Sequence, residues 1–132
     1  MKYIDKLRNS GLRPTKQRLQ ICEVLFDTEK TFHFTINELD RRIKKQINNK
    51  ISLATIYNTV EAFTNAGYLK EILTSKNKSY FDTNIKSHHH FYDEGTRELT
   101  DINYNQIKLS KVPTPPKGKK IKNLEVVIRI QK

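Results

Sequence analysis

The stretch that most constrains the fold runs from Ser52 to Asp82. Ser52 stands where it can cap a helix, Leu53, Ile56, Val60 and Phe63 recur at helical spacing, and Gly67 supplies a left-handed stop. Alternation then replaces the helical period. Residues 68–73 (YLKEIL) and 78–82 (KSYFD) read as two antiparallel strands around a turn at Ser75, Lys76 and Asn77. A helix that runs straight into a hairpin needs other helices against its apolar stripe, and the preceding residues provide them.

The first of these opens at Arg13-Pro14-Thr15, with Pro14 placed to occupy the first turn and Leu19, Cys22, Leu25 and Phe26 on one stripe. The second starts at Thr35-Ile36-Asn37-Glu38, which has capping-box spacing, and continues to about Gln46 with Ile36, Leu39, Ile43 and Ile47 inward. His33 lies at the beginning of that helix. Helix, helix, helix and hairpin make a winged helix. Thr55, Asn58, Thr59 and Ala62 are expected on the outward face of the third helix, where small uncharged groups suit close approach to base edges in a major groove. Tyr57 sits at the flank. Lys76 and Lys78 at the hairpin tip are placed for phosphates.

After Asp82 the chain changes character. Residues 83–87 (TNIKS) read as a hinge, followed by a histidine strand, a second strand through Leu99 to Ile102, a polar stretch with a short helical turn, the breaker run 112–118 (VPTPPKG) and a final strand ending at Ile130. Some 45 residues holding one such sheet cannot bury much core, so this part is expected to dimerise. The expected architecture is therefore α+β: a winged helix over 1–82, a hinge at 83–87, and a small α/β dimerisation and ligand-sensing domain over 88–132.

Three consecutive histidines open that second part. Strand geometry puts His88 and His90 on one face and His89 on the other, so two imidazoles can converge on one metal. Asp101 joins them if a four-residue hairpin loop over 93–96 sets it opposite His88. A five-residue loop sends it to the face of His89. Imidazole and carboxylate donors suit zinc, iron or manganese, and histidine alone can also ligate haem iron axially.

Composition narrows the partners. A formal net charge of +11 favours a polyanion such as double-stranded DNA, and both parts of the chain are basic. The single cysteine, Cys22, allows neither an internal disulfide nor a cysteine-bound structural zinc, and it falls on a core stripe. The chain has no signal-peptide pattern and no run of eighteen apolar residues, so a cytoplasmic protein with no membrane contact is expected.

Taken together, "GLRPTKQRLQICEVL", "HFTINELDRRI", "SLATIYNTVEAFTNAGYL", "KSYFDTN" and "HHHFYDE" resemble the ferric uptake regulator family over nearly the whole chain. "SLATIYNT", "SYFDTN", "HHHFYDE", "ELTDI" and "VVIRI" are similar in particular to its iron response regulator subgroup from alphaproteobacteria. The resemblance implies a homodimeric repressor and a regulatory metal site at His33, Asp82, His88, His90 and Asp101. It implies a haem site at His88, His89 and His90. On this reading Thr55, Tyr57 and Asn58 touch bases, Ser52 lies in the same DNA contact, Arg13, Lys16 and Lys76 hold phosphates, and the operator is palindromic.

The chain also departs from the family, lacking paired Cys-x-x-Cys motifs and carrying Phe91-Tyr92 where Asp-His is frequent. The subgroup's behaviour implies promoter binding when iron or haem is scarce and inactivation by haem. The alternative is direct sensing of Fe, Mn or Zn at the same site. A non-haem iron enzyme using two histidines and a carboxylate is disfavoured, because a complete winged helix has no purpose in it.

Overall fold

The computed structural model describes residues 2–74 and 78–132. The chain forms two compact units, one up to Ile85 and one from Lys86 onward.

The first unit begins with a short helix, α1 (Ile4–Asn9), whose Leu7 is fully buried. Six residues carry too little periodicity to announce this helix in the sequence. Helix α2 (Lys16–Phe26) is capped by Thr15, whose hydroxyl accepts the Arg18 N–H. Pro14 therefore stands just outside the helix instead of in its first turn. The short strand β1 (His33–Phe34) precedes α3 (Ile36–Gln46), where Thr35 and Glu38 form both halves of the expected capping box. His33 thus belongs to a strand, because Thr35 is the cap and the two residues before it are extended and paired.

Helix α4 (Leu53–Ala66) starts at the Ser52 cap and ends at Gly67, which has a φ of 89°. Strands β2 (Lys70–Leu73) and β3 (Ser79–Asp82) form the hairpin, and the sheet order is β1-β3-β2, with all pairings antiparallel. The core gathers Leu7, Leu25, Leu39, Ile43, Ile56, Val60, Phe63 and Phe81 from every one of these layers.

Two positions on α4 differ from the helical-stripe reading. Thr59 is fully buried, and its hydroxyl donates to the Thr55 carbonyl at 2.7 Å, so a polar residue enters the core with its donor satisfied inside its own helix. Leu53, in the first turn, remains 50% exposed because the core does not reach that end of the stripe.

Cys22 is buried in this core, and burial pushes its thiol up to about 12. Alkylation of the native protein near pH 8 should be slower than that of the unfolded chain by on the order of a thousandfold, from the lost thiolate alone. Comparable labelling rates with and without denaturant would contradict this burial.

The second unit is a three-stranded sheet of order β5-β4-β6. Strand β4 (His89–Asp93) pairs antiparallel with β5 (Leu99–Ile102) and parallel with β6 (Val127–Ile130). A single 3-10 turn, Tyr104–Gln106, follows β5. Among the described residues of this unit the buried apolar side chains are Tyr92, Leu99 and Ile102, while Phe91, Ile128 and Ile130 stay partly exposed on neighbouring strands. No helix among the described residues is long and apolar enough to cross a membrane.

Candidate metal centre and nucleic-acid interface

The β4–β5 register resolves the placement of Asp101. The loop is Glu94 to Arg97, closed by the Asp93 N–H donating to the Glu98 carbonyl, so Asp101 lies opposite His90 and not His88. The loop has four residues, displaced by one residue along the chain from 93–96. Because the shift moves the pairing by two positions, Asp101 keeps the face shared by His88 and His90. The Asp93 carboxylate accepts the N–H groups of Gly95 and Thr96 and stabilises this turn, which places Arg97 at a φ of 63°.

All three histidines are buried. The rings of His88 and His90 lie edge to face with centroids 4.4 Å apart, and their Nε2 atoms stand 3.6 Å and 3.2 Å from Asp101 Oδ1. Metal–ligand bonds of about 2.0–2.1 Å in a tetrahedral site separate the ligand atoms by roughly 3.4 Å, so this set fits an ion of that class. Nδ1 of His88 donates to the Lys86 carbonyl at 2.6 Å, and Nδ1 of His90 lies 3.1 Å from Glu125 Oε1. With the proton on Nδ1 in each neutral ring, the lone pair falls on Nε2, toward Asp101.

His89 is used differently. Its Nδ1 accepts the Val126 N–H at 2.9 Å, and its ring stacks on Tyr104 at 5.1 Å. Its lone pair serves the sheet.

In the first unit, His33 and Asp82 are cross-strand partners in β1 and β3. Asp82 is buried, and its Oδ1 accepts the Asn84 N–H. Both positions thus carry ligand-type side chains at the end of the sheet nearest the second unit in sequence.

On α4, Tyr57 is 52% exposed and Asn58 is exposed, while Thr55 is half-buried. The Ser52 and Thr55 hydroxyls share a 2.8 Å hydrogen bond, and Ser52 also accepts the Thr55 N–H, so this pair builds the helix start before anything else. Arg13 and Lys16 are exposed near the start of α2, and Lys78 is exposed just before β3, at the turn end of the hairpin, where its carbonyl accepts the Thr74 N–H. Lys76 lies outside the described residues. Tyr57 also lines a groove of about 380 Å³ with Thr35, Glu71, Lys78 and Phe81. Glu125 is the residue that sequence reasoning missed. Its one signal was an acid in an otherwise apolar strand approach, far from the histidines in sequence.

A winged helix joined to a small sheet with an imidazole–carboxylate cluster defines a ligand-responsive DNA-binding protein. The ferric uptake regulator family model matches residues 9–129. A peroxide-responsive repressor from Staphylococcus epidermidis is 34% identical over 104 residues, covering 79% of this chain and 67% of that relative. The manganese-containing ferric uptake regulator of Pseudomonas aeruginosa superposes with a TM-score of 0.73 at 19% identity, covering 100% of this chain and 98% of that one. The Vibrio cholerae ferric uptake regulator gives 0.72 at 20% identity, covering 99% and 100%. The chain belongs to the ferric uptake regulator family, whose members are metal-responsive transcription regulators that bind DNA as dimers and are not enzymes.

Proposed function

We propose that this chain is a homodimeric, cytoplasmic repressor of iron and haem metabolism genes that reads iron status at His88, His90 and Asp101. The observation that carries the reading is the convergence of two imidazole Nε2 atoms on one carboxylate oxygen at ion-sized separations. By the family resemblance, His33 and Asp82 are assigned to the same ligand set. A ligand set drawn from both sides of a hinge at 83–87 ties occupancy to the angle between DNA-reading and dimerising parts, and hence to DNA affinity. A divalent ion bound here would supply that cross-link, with Fe, Mn and Zn the metals suited to the donor set.

Haem is the second reading, supported by three adjacent imidazoles and by likeness to the iron response regulator subgroup, in which haem inactivates the repressor. In the arrangement described, the paired rings of His88 and His90 face one another and a shared carboxylate, so a porphyrin fits only once they part. The deciding experiment titrates apo protein on a palindromic duplex selected from a random pool, with haem and, separately, Fe(II), Mn(II) and Zn(II). Release by haem alone favours haem sensing. Binding that requires a divalent ion favours direct metal sensing, and indifference to all four refutes both.

DNA contact is assigned to Tyr57, Asn58 and Thr55 for bases, with Ser52 beside them, and to Arg13, Lys16 and Lys76 for phosphates. Tyr57→Ala should weaken binding to the selected duplex by about 1–3 kcal/mol while leaving Tm unchanged, since the ring is half exposed. Unaltered affinity at fixed salt removes Tyr57 from the interface. The dimer is assigned to the sheet face bearing Phe91, Ile128 and Ile130.

A further inference from the structure

The two metal-facing histidines owe their orientation to different partners. His88 is oriented by a backbone carbonyl, that of Lys86, whereas His90 is oriented by the side chain of Glu125, 35 residues further on. We propose that Glu125 is a positioning residue of the metal centre, holding the proton of His90 on Nδ1 so that Nε2 presents its lone pair to the ion. The inference rests on the metal reading above.

The chemistry leaves little choice of roles. A carboxylate only accepts, so the contact requires N–H at Nδ1 of His90. The Glu125 side chain is 16% exposed and that of His90 1%, so each largely desolvated group has its partner in the other. A carboxylate behind a ligating imidazole also raises the basicity of the ligating nitrogen.

His89 provides the internal contrast. It neighbours His90 in the same strand, yet it accepts from the Val126 N–H through Nδ1 and so carries its proton on Nε2. Adjacent residues of one dipeptide, Glu125 and Val126, therefore set opposite tautomers in adjacent histidines. The His90 N–H donates to the Val126 carbonyl, which anchors this dipeptide at the entry to β6. Glu125 lies outside the ligand set, since it reaches His90 from the side away from Asp101.

The test compares the full chain with Glu125→Leu and Glu125→Gln. Zinc affinity is measured by chelator competition, and imidazole tautomers are read in the metal-free proteins by long-range proton–nitrogen NMR. The expected result is about 10–100-fold weaker zinc binding for Glu125→Leu, with a smaller loss for Glu125→Gln, which can still accept but carries no charge. His90 should lose its single tautomer in the leucine variant while His88, held by the backbone, keeps its own. A merely structural role would not separate the two rings.

Protection of the Val126 amide from exchange reports that β6 is still seated. If the leucine variant fails to fold, the glutamine variant carries the comparison. Unchanged zinc affinity together with an unchanged His90 tautomer overturns the role of Glu125. Failure of the unaltered protein to bind zinc, manganese or Fe(II) overturns the metal reading itself, and is told apart by appearing before any substitution is made.

Discussion

Replacing His88 and His90 together by alanine should lower divalent-metal affinity by on the order of a thousandfold or more, because loss of a single group behind one ligand already costs about 10–100-fold. The two rings supply both nitrogen donors facing Asp101, and what remains on that face is a carboxylate with its side chain 53% exposed. Such a carboxylate binds weakly in competition with water. The hydrophobic core of the first unit is built from other residues, so the variant should keep a thermal transition for that unit. Metal titration on DNA is the sharper measurement: the response to metal should vanish whichever sign it has in the unaltered protein. Retention of a full response by the double variant would place the sensor elsewhere.

Phe63→Ala should cost about 3–5 kcal/mol. Phe63 is fully buried in α4 and meets Phe26 at 5.6 Å and Tyr68 at 6.0 Å, both edge to face. Truncation removes the hydrophobic transfer, the two aromatic contacts and the filling of the volume between α2, α4 and the start of the wing. Against a total stability of about 5–15 kcal/mol this is a large share, and Tm should drop by more than about 10 °C. DNA binding should fall with folding, in contrast to Tyr57→Ala, where affinity changes without Tm. A cost under about 1 kcal/mol would mean that the α4 stripe is not the centre of this core.

Local signals made much of this legible. The Thr35–Glu38 capping box, the Ser52 cap and the Gly67 stop are each readable within a few residues, and α3, α4 and the hairpin follow from them. Long-range effects account for the differences. Thr59 looks outward by polarity, yet a hydroxyl that bonds back to the Thr55 carbonyl can be buried at little cost. His33 belongs to β1 because Asp82, 49 residues later, pairs with it. The parallel pairing of β4 with β6 has no local signature, and Glu125 could not be placed behind His90 without it. The outward apolar positions Phe91, Ile128 and Ile130 illustrate the same point, since only sheet order makes them neighbours.

The loop from Glu94 to Arg97 has a further consequence. Surface hairpin loops generally accept insertions and deletions as the cheapest change a chain can undergo. Here, if the four-residue turn is kept, one added residue would present Thr100 to His90 in place of Asp101, and one removed would present Ile102, exchanging a charged donor for a group of the opposite sheet face. The length of an exposed turn is thereby under the same constraint as the ligands themselves. Composition is constrained within it as well, at Gly95, where an added Cβ would lie 3.3 Å from Asp93 Oδ1, and at Arg97 with its φ of 63°.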